Sequence, residues 1–295
     1  MKRKQLFDLC CLVALVMAGM LLSSCSKDEK NPFVKSFSTE AIRELSDDGG
    51  ATTRGLEREG STIKAVWKTS DKVYAFPDKS SVSIGTLSPM ADKVGSERTK
   101  LDGSLNSTGL KVGDYLNFVT PRDVWDYTGQ VGTLADIESK YDYAQARVYI
   151  TEISANGMKG STANFSTEQA IIRFTIKGAD GALMNIPSLT ISAAGKKLAT
   201  GYTLSGGTFT PSYGDLTITP ASATSEIYVA LRNDTEGSDT YTLLTTVNGN
   251  AYNYTRSGVT FKKGTPYHVT VTMSLNDDTY SERSGYGTEE EQVWD

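Results

Sequence analysis

At 295 residues the chain is long enough to bury its own core, and the length suits two modest domains better than one. A formal net charge of −5 at pH 7 excludes the basic field that a nucleic-acid binder needs. The single histidine, His268, excludes a histidine-based metal cluster, and no cofactor is expected.

The first residues carry an address. Lys2-Arg3-Lys4 is a positive cluster, and an apolar segment follows from Leu9 to Leu22. This is the n-region and h-region of a secretory signal, too short to cross a bilayer as a stable helix, with Asp8 blocking its extension. Leu22-Ser23-Ser24-Cys25 ends it in the pattern of a bacterial lipobox, which makes residues 1–24 a signal peptide and Cys25 the lipidated first residue of the mature chain. Of the three cysteines, Cys10 and Cys11 lie in the segment to be removed, so the mature chain has no disulfide and relies on its core. Removal of the signal takes away three positive charges and one negative, leaving about −7 by the same counting. The lipobox resemblance implies acyl chains on Cys25, palmitate among them, that would hold the body to the outer membrane at about 0.8 kcal/mol per buried CH₂. Lys27-Asp28-Glu29 resembles the lysine-plus-acid tag of lipoproteins displayed on the cell surface.

Residues 25–55 read as a lipidated tether with a removable strand. Phe33 to Ser38 has the makings of a short strand, Glu40 to Leu45 of one helical turn, and Asp47-Asp48-Gly49-Gly50 of a flexible break. From Ser61 the pattern changes to period two, with Ile63, Ala65 and Trp67 on one face. Val73 to Phe76 and Tyr115 to Thr120 read as apolar strands, each ended by a proline. Asp102-Gly103 reads as a turn and Leu134 to Tyr141 as weakly helical. Alternation resumes at Ala144, Ala146, Val148 and Ile150, and Asn156-Gly157 through Ser161-Thr162 reads as a domain joint.

Beyond that joint, Ile172, Phe174 and Ile176 line one face of a strand. Leu189 to Ile191, Leu216 to Ile218 and Ile227 to Leu231 add further short strands. Tyr241 to Val247, Asn248-Gly249-Asn250 and Ala251 to Tyr254 form the clearest hairpin signal, and Tyr267, Val269, Val271 and Met273 close the series. Short strands parted by Gly, Asn and Ser turns give an all-β chain of antiparallel sandwiches, with domains at 56–160 and 161–275 and a polar tail at 276–295. Trp67, Phe76, Leu116, Phe118, Ile172, Phe174, Val229, Leu243, Val269 and Val271 are the expected core.

Trp67 through Phe76 resembles the first-domain motif of the fimbrillin-like proteins, the type V pilus subunits, with Ser70 in place of the usual glycine. Phe165 through Phe174 resembles the strand that opens their second domain, without the histidine often found there. Gly264 through Val271 resembles their closing strand. The resemblance runs from about Ala51 to Met273 and implies two tandem transthyretin-like β-sandwich domains after a lipoprotein signal peptide. It further implies a pilus subunit (shaft, tip or accessory) that contributes to adhesion and partners other pilin subunits by strand exchange. In that mechanism a trypsin-like protease cuts after an arginine and the N-terminal strand leaves a groove for a neighbour's strand. Arg54, followed by Gly55, fits the cleavage position, with Arg58 as second choice. Ser274 to Asp295 is a thin donor strand, rich in acids and poor in alternating apolar residues.

No Gly-rich phosphate loop, nucleophile elbow or Cys-His pair is present, so no catalysis is expected; carboxylate-only glycosidase chemistry has no spacing rule to test against. The alternative to a pilus subunit is a glycan-binding surface lipoprotein. Its ring platform would draw on fifteen tyrosines and three tryptophans, with Trp125-Asp126-Tyr127 the candidate loop and host or glycan ligands as partners. For the anchor, Cys25→Ala is expected to leave the chain unprocessed or unanchored, read by mass spectrometry of the mature N-terminus and by membrane fractionation. An unmodified mature N-terminus away from Cys25 contradicts the lipobox reading.

Overall fold

The computed structural model describes residues 33–43, 57–59, 62–64, 66–122, 124–276 and 291–293. Contacts divide the chain into Met1–Val34 and Lys35–Asp295, and the architecture is that of the second unit. Cys25, Arg54 and Gly55 lie outside the described residues.

Strands dominate. The first half carries β1 (Val34–Arg43), β2 (Glu57–Glu59), β3 (Thr62–Lys64), β4 (Val73–Pro77), β5 (Gly85–Pro89), β6 (Arg98–Asn106), β7 (Tyr115–Thr120) and β8 (Val124–Asp126). A helical turn at Leu134–Asp136 runs into a π-helical turn at Ile137–Tyr141, and then come β9 (Ala144–Ser154), β10 (Gly157–Gly160) and β11 (Ala163–Thr167). All of these strands except β2, β3 and β8 form one eight-stranded sheet, in the order β10-β1-β11-β9-β7-β4-β5-β6. Pairing of β1 with β6 closes that sheet on itself. Closure removes the free edges that an open sheet would expose.

The second half carries β12 (Ala170–Lys177), β13 (Leu189–Ala193), β14 (Ala199–Ser205), β15 (Thr208–Tyr213), β16 (Leu216–Ile218) and β17 (Glu226–Leu231). After them come β18 (Asp239–Val247), β19 (Asn250–Val259), β20 (Pro266–Thr272), β21 (Ser274–Leu275) and β22 (Glu291–Val293). They build the sheets β17-β12-β20-β22 and β16-β13-β18-β19-β21, and β8 of the first half joins β14 and β15. Two hydrophobic clusters result. One holds Phe37, Trp67, Leu116, Phe118, Val148 and Phe165. The other holds Ile172, Phe174, Ile191, Val229, Leu243 and Val271, together with Trp125, Tyr127 and Tyr143 of the first half. Every residue expected in the core is buried except Val269, which is partly buried against the second cluster.

Several local expectations match. The hairpin forms between β18 and β19 in the register Val247↔Asn250, with φ of 51° at Asn248 and 81° at Gly249. Positive φ at both central residues is what a two-residue turn that follows the strand twist requires. The helical spacing from Leu134 to Tyr141 is also realised.

Others are corrected. Glu40 to Arg43 is not a helical turn: β1 runs straight through to Arg43, because pairing on both sides outweighs the helix propensity of Glu, Ala and Arg. Asp102-Gly103 is not a turn but the middle of β6. There Gly103 lies opposite Leu87, and a Cβ on it would stand 2.4 Å from the Thr86 carbonyl oxygen. Glycine marks a close backbone approach. Asn156-Gly157 through Ser161-Thr162 holds a hairpin turn and β10, both within the first sheet. The change of sheet falls between Thr167 and Ala170, so the Phe165–Phe174 motif spans two strands. Trp67 lies past the end of β3, although its N–H still donates to Ser96 O at 3.0 Å. Among the described residues no helix is long and apolar enough to cross a membrane.

The close approach at Gly103 yields a stability test. Gly103→Ala is expected to push β5 and β6 apart and to destabilise the fold by about 1–3 kcal/mol, measured by urea unfolding.

Candidate functional site

The feature of the first sheet that hairpin connections do not explain is the seat of β1. Most of its neighbours reach the sheet through hairpins, whereas β1 pairs in parallel with strands far along the chain. Phe37 lies opposite Met158 of β10, and Ala41, Ile42 and Arg43 lie opposite Ala163, Asn164 and Phe165 of β11. On the opposite flank Arg43 N–H donates to Glu97 O at 3.3 Å.

Period two decides which side chains fill the seat. Phe37, Thr39, Ala41 and Arg43 are buried, while Lys35, Ser36, Ser38, Glu40 and Ile42 are exposed or partly so. The Phe37 ring meets the edge of Phe118 at 5.8 Å between centroids. Gly160 makes room for it: a Cβ there would stand 2.7 Å from Phe37 and 2.6 Å from Val148. Phe33 and Val34, at the start of the strand expected from Phe33 to Ser38, are exposed.

Polar groups of β1 satisfy carbonyls between the end of β9 and the start of β11. Lys35 Nζ donates to Ser154 O at 2.7 Å, Ser36 Oγ to Asn156 O at 3.1 Å and Thr39 Oγ1 to Ser161 O at 2.6 Å. These carbonyls belong to the backbone beside β1, and without such donors they would need water.

The far end of the seat is ionic. Arg43 Nη1 lies 3.4 Å from Asp142 Oδ2, with side-chain exposures of 1% and 0%. The guanidinium also sits 4.7 Å from the centre of the Trp67 ring, which is held edge-on against Phe165. Asp142 Oδ1 accepts from Gln169 Nε2 at 3.4 Å, and Gln169 Oε1 accepts from Tyr127 Oη at 3.4 Å. Burial drives the Tyr127 phenol well above its ordinary value, with Arg232 opposing and Glu168 reinforcing the rise. Tyr127 therefore stays a neutral donor.

A second buried cluster joins the two cores. Glu168 accepts from Gln145 at 2.8 Å, from Arg232 at 2.5 Å and from Lys263 at 2.9 Å. Arg232 stacks 4.0 Å from the centre of the Tyr202 ring and pairs with Asp234 at 3.0 Å. Asp234 also accepts from Tyr202 and, at 3.1 Å, from Tyr213. Burial alone would raise the Asp234 carboxyl; bonds from Tyr202, Arg232 and Tyr213 outweigh it and hold the group below its usual value.

The aromatic shelf that the glycan-binding alternative needs at Trp125-Asp126-Tyr127 does not exist. Val124–Asp126 is a strand paired with β14, and Trp125 and Tyr127 are both 1% exposed. Trp125 is stacked between Tyr143 and Phe209, so its faces are not offered to a sugar. Asp126 is the exposed member of the three, and its Oδ1 accepts from Thr128 at 2.9 and 2.7 Å. His268 lies on β20 with Nε2 3.0 Å from Thr175 Oγ1. Arg58 is placed on β2, opposite Ile63 of β3. The described end of the tail, Glu291–Val293, pairs antiparallel with Val269 to Tyr267 on β20.

Sequence reading missed Thr39, Arg43, Asp142 and Gly160. The alternation Phe37, Thr39, Ala41, Arg43 was the available signal. It was hard to see because half of its members are polar.

No family model matches the chain, and no curated protein does. Among solved structures, the chain is similar to a candidate cell adhesion protein from Bacteroides ovatus at 15% identity, with 88% of this chain and 98% of that one covered and a TM-score of 0.46. It is similar to another from Bacteroides uniformis at 12% identity, covering 88% and 99%, with a TM-score of 0.43. A fimbrial assembly protein from Parabacteroides distasonis matches at 12% identity over 82% and 100%, with a TM-score of 0.37. At these scores the likeness fixes neither fold nor function.

The Asp234 cluster makes a pH prediction. Its carboxyl is depressed in the folded state, so its stabilisation is present above the unfolded carboxylate value and is lost as pH falls through the lowered folded value. Asp234→Asn is expected to flatten that acid limb, seen in urea unfolding midpoints across the acidic range.

Proposed function

We propose that this chain is a non-catalytic, lipid-anchored subunit of a surface pilus that contributes to adhesion, and that its first strand is exchangeable. The observation that carries the proposal is β1 itself. It closes the first sheet in parallel, from the end of a tether, in a seat lined by Phe118, Val148 and Gly160. In this reading Cys25 holds the chain to the outer membrane, facing outward. The two cores are two tandem transthyretin-like sandwiches, and a protease cuts between Arg54 and Gly55.

The physics of release supports the reading. While the chain is intact, β1 is tethered and its return to the seat is intramolecular. A cut in the connection to β2 turns the same pairing into a bimolecular one, which dilution and competitors can reverse. The emptied seat would expose an apolar trough and unpaired ladder groups of β10, β11 and β6. Covering the trough again is worth about 25 cal/mol per Å² of apolar area. A strand from a neighbouring subunit recovers that energy together with the ladder. The acidic tail makes this chain a better acceptor than donor, which suits a tip, anchor or accessory position as well as a shaft.

The test is cleavage of the full chain by a trypsin-like protease, followed by addition of subunits from the same cell. Expected outcomes are a single early cut after Arg54, loss of the released segment on dilution and capture of a neighbouring subunit. Arg54→Ala should resist the cut. If the cut chain keeps its segment through dilution and binds no new strand, the proposal fails.

A further inference from the structure

The four inward residues of β1 are not equivalent. Phe37, Thr39 and Ala41 ask only for fit, whereas Arg43 asks for charge. Two groups of the body meet its guanidinium: the Asp142 carboxylate at 3.4 Å and the Trp67 face at 4.7 Å. Both are fixed independently of β1. Asp142 follows the π-helical turn Ile137–Tyr141 and holds Gln169 at 3.4 Å, while Trp67 packs edge-on against Phe165 at 5.3 Å. A body with β1 gone would still present that carboxylate beneath an aromatic face, at one fixed register.

We propose that this pocket is a partner-selecting site: the seat accepts strands that bring an arginine two positions beyond the residue taking the place of Ala41. The inference rests on the exchange reading and names the chemistry of the partner strand. Such a strand runs parallel to β11 and carries inward a large apolar side chain, a small hydroxyl, a small apolar residue and then arginine. Arginine is favoured over lysine because its planar guanidinium can lie on an indole while it donates to a carboxylate. A neutral residue in that place takes from Asp142 its Arg43 partner, and breaking a buried pair from one side is strongly unfavourable. Strands of the right apolar pattern without the cation are thereby rejected, which is specificity by penalty on the wrong partner.

The experiment uses the full chain with a unique protease site built into residues 51–56, so that the cut does not depend on Arg54. After cleavage, labelled peptides of residues 33–43 compete for the seat: the native sequence, Arg43→Lys and Arg43→Met. The native peptide is expected to bind about a hundredfold tighter than Arg43→Met, with Arg43→Lys between them. In a body carrying Asp142→Asn, that ratio should shrink to less than about tenfold. Equal binding of the native and Arg43→Met peptides to the unmutated body overturns the inference and leaves strand exchange standing. That comparison needs no variant body, so a folding defect of Asp142→Asn does not blunt it. If no peptide displaces β1 at all, the exchange reading falls and the selectivity falls with it.

Discussion

The first sheet depends on one constraint: a strand with no hairpin to hold it has to be held by its side chains. An antiparallel neighbour such as β7 or β9 is kept in place by its register over six consecutive pairs, from Tyr115↔Tyr149 to Thr120↔Ala144. Besides its pairing with β6, β1 has two short parallel contacts, one on β10 and one on β11, with a shift between them. Phe37 in the space left by Gly160 therefore anchors one end, and Arg43 on Asp142 the other. Between them Thr39 stitches the backbone across the gap from β10 to β11 through Ser161 O.

The same ionic contact leads into the rest of the molecule. Arg43, Asp142, Gln169 and Tyr127 form a continuous chain of buried polar contacts, and Tyr127 belongs to the second core. Beside it, Glu168 draws Arg232 and Lys263 of the second half toward Gln145 of the first. Gln130 adds a neutral bridge, donating to Tyr127 O and Ala230 O at 2.9 Å each and accepting from Ala230 N–H at 2.8 Å. Burial of so many polar groups is tolerable because these carboxylates and amides have partners in place.

Legibility in the sequence followed the range of the interaction. Local chemistry was readable: Asn248-Gly249 announced its turn, and strict alternation at Ile172, Phe174 and Ile176 announced a one-sided strand. Long-range geometry was not. Gly103 looked like a turn because nothing near it in sequence reveals that Thr86 O will lie where its Cβ would be. Trp125 and Tyr127 stayed open to the platform reading because their cover, Phe209 and Tyr202, comes from the other half of the chain. The seat of β1 was half legible. An edge strand near Phe37 was visible, but Arg43 read as a helix former because its partner, Asp142, lies far along the sequence.

The charge at the end of β1 does work that apolar pattern alone cannot do. A slip by one residue turns Phe37 and Ala41 outward and is excluded by burial. A slip by two preserves the alternation, so hydrophobicity distinguishes it only weakly, through the size of the side chains. It does, however, carry Arg43 off Asp142 and away from the Trp67 face, leaving a buried carboxylate without that cation. Buried ion pairs stabilise little compared with an apolar filling, and their best-attested use is to fix register. Gly160 and Phe37 set how deep the strand sits; Arg43 and Asp142 set where along the seat it stops. In the exchange proposed above, a strand that replaces β1 meets both conditions in the same seat, because Gly160 and Asp142 stay behind with the body.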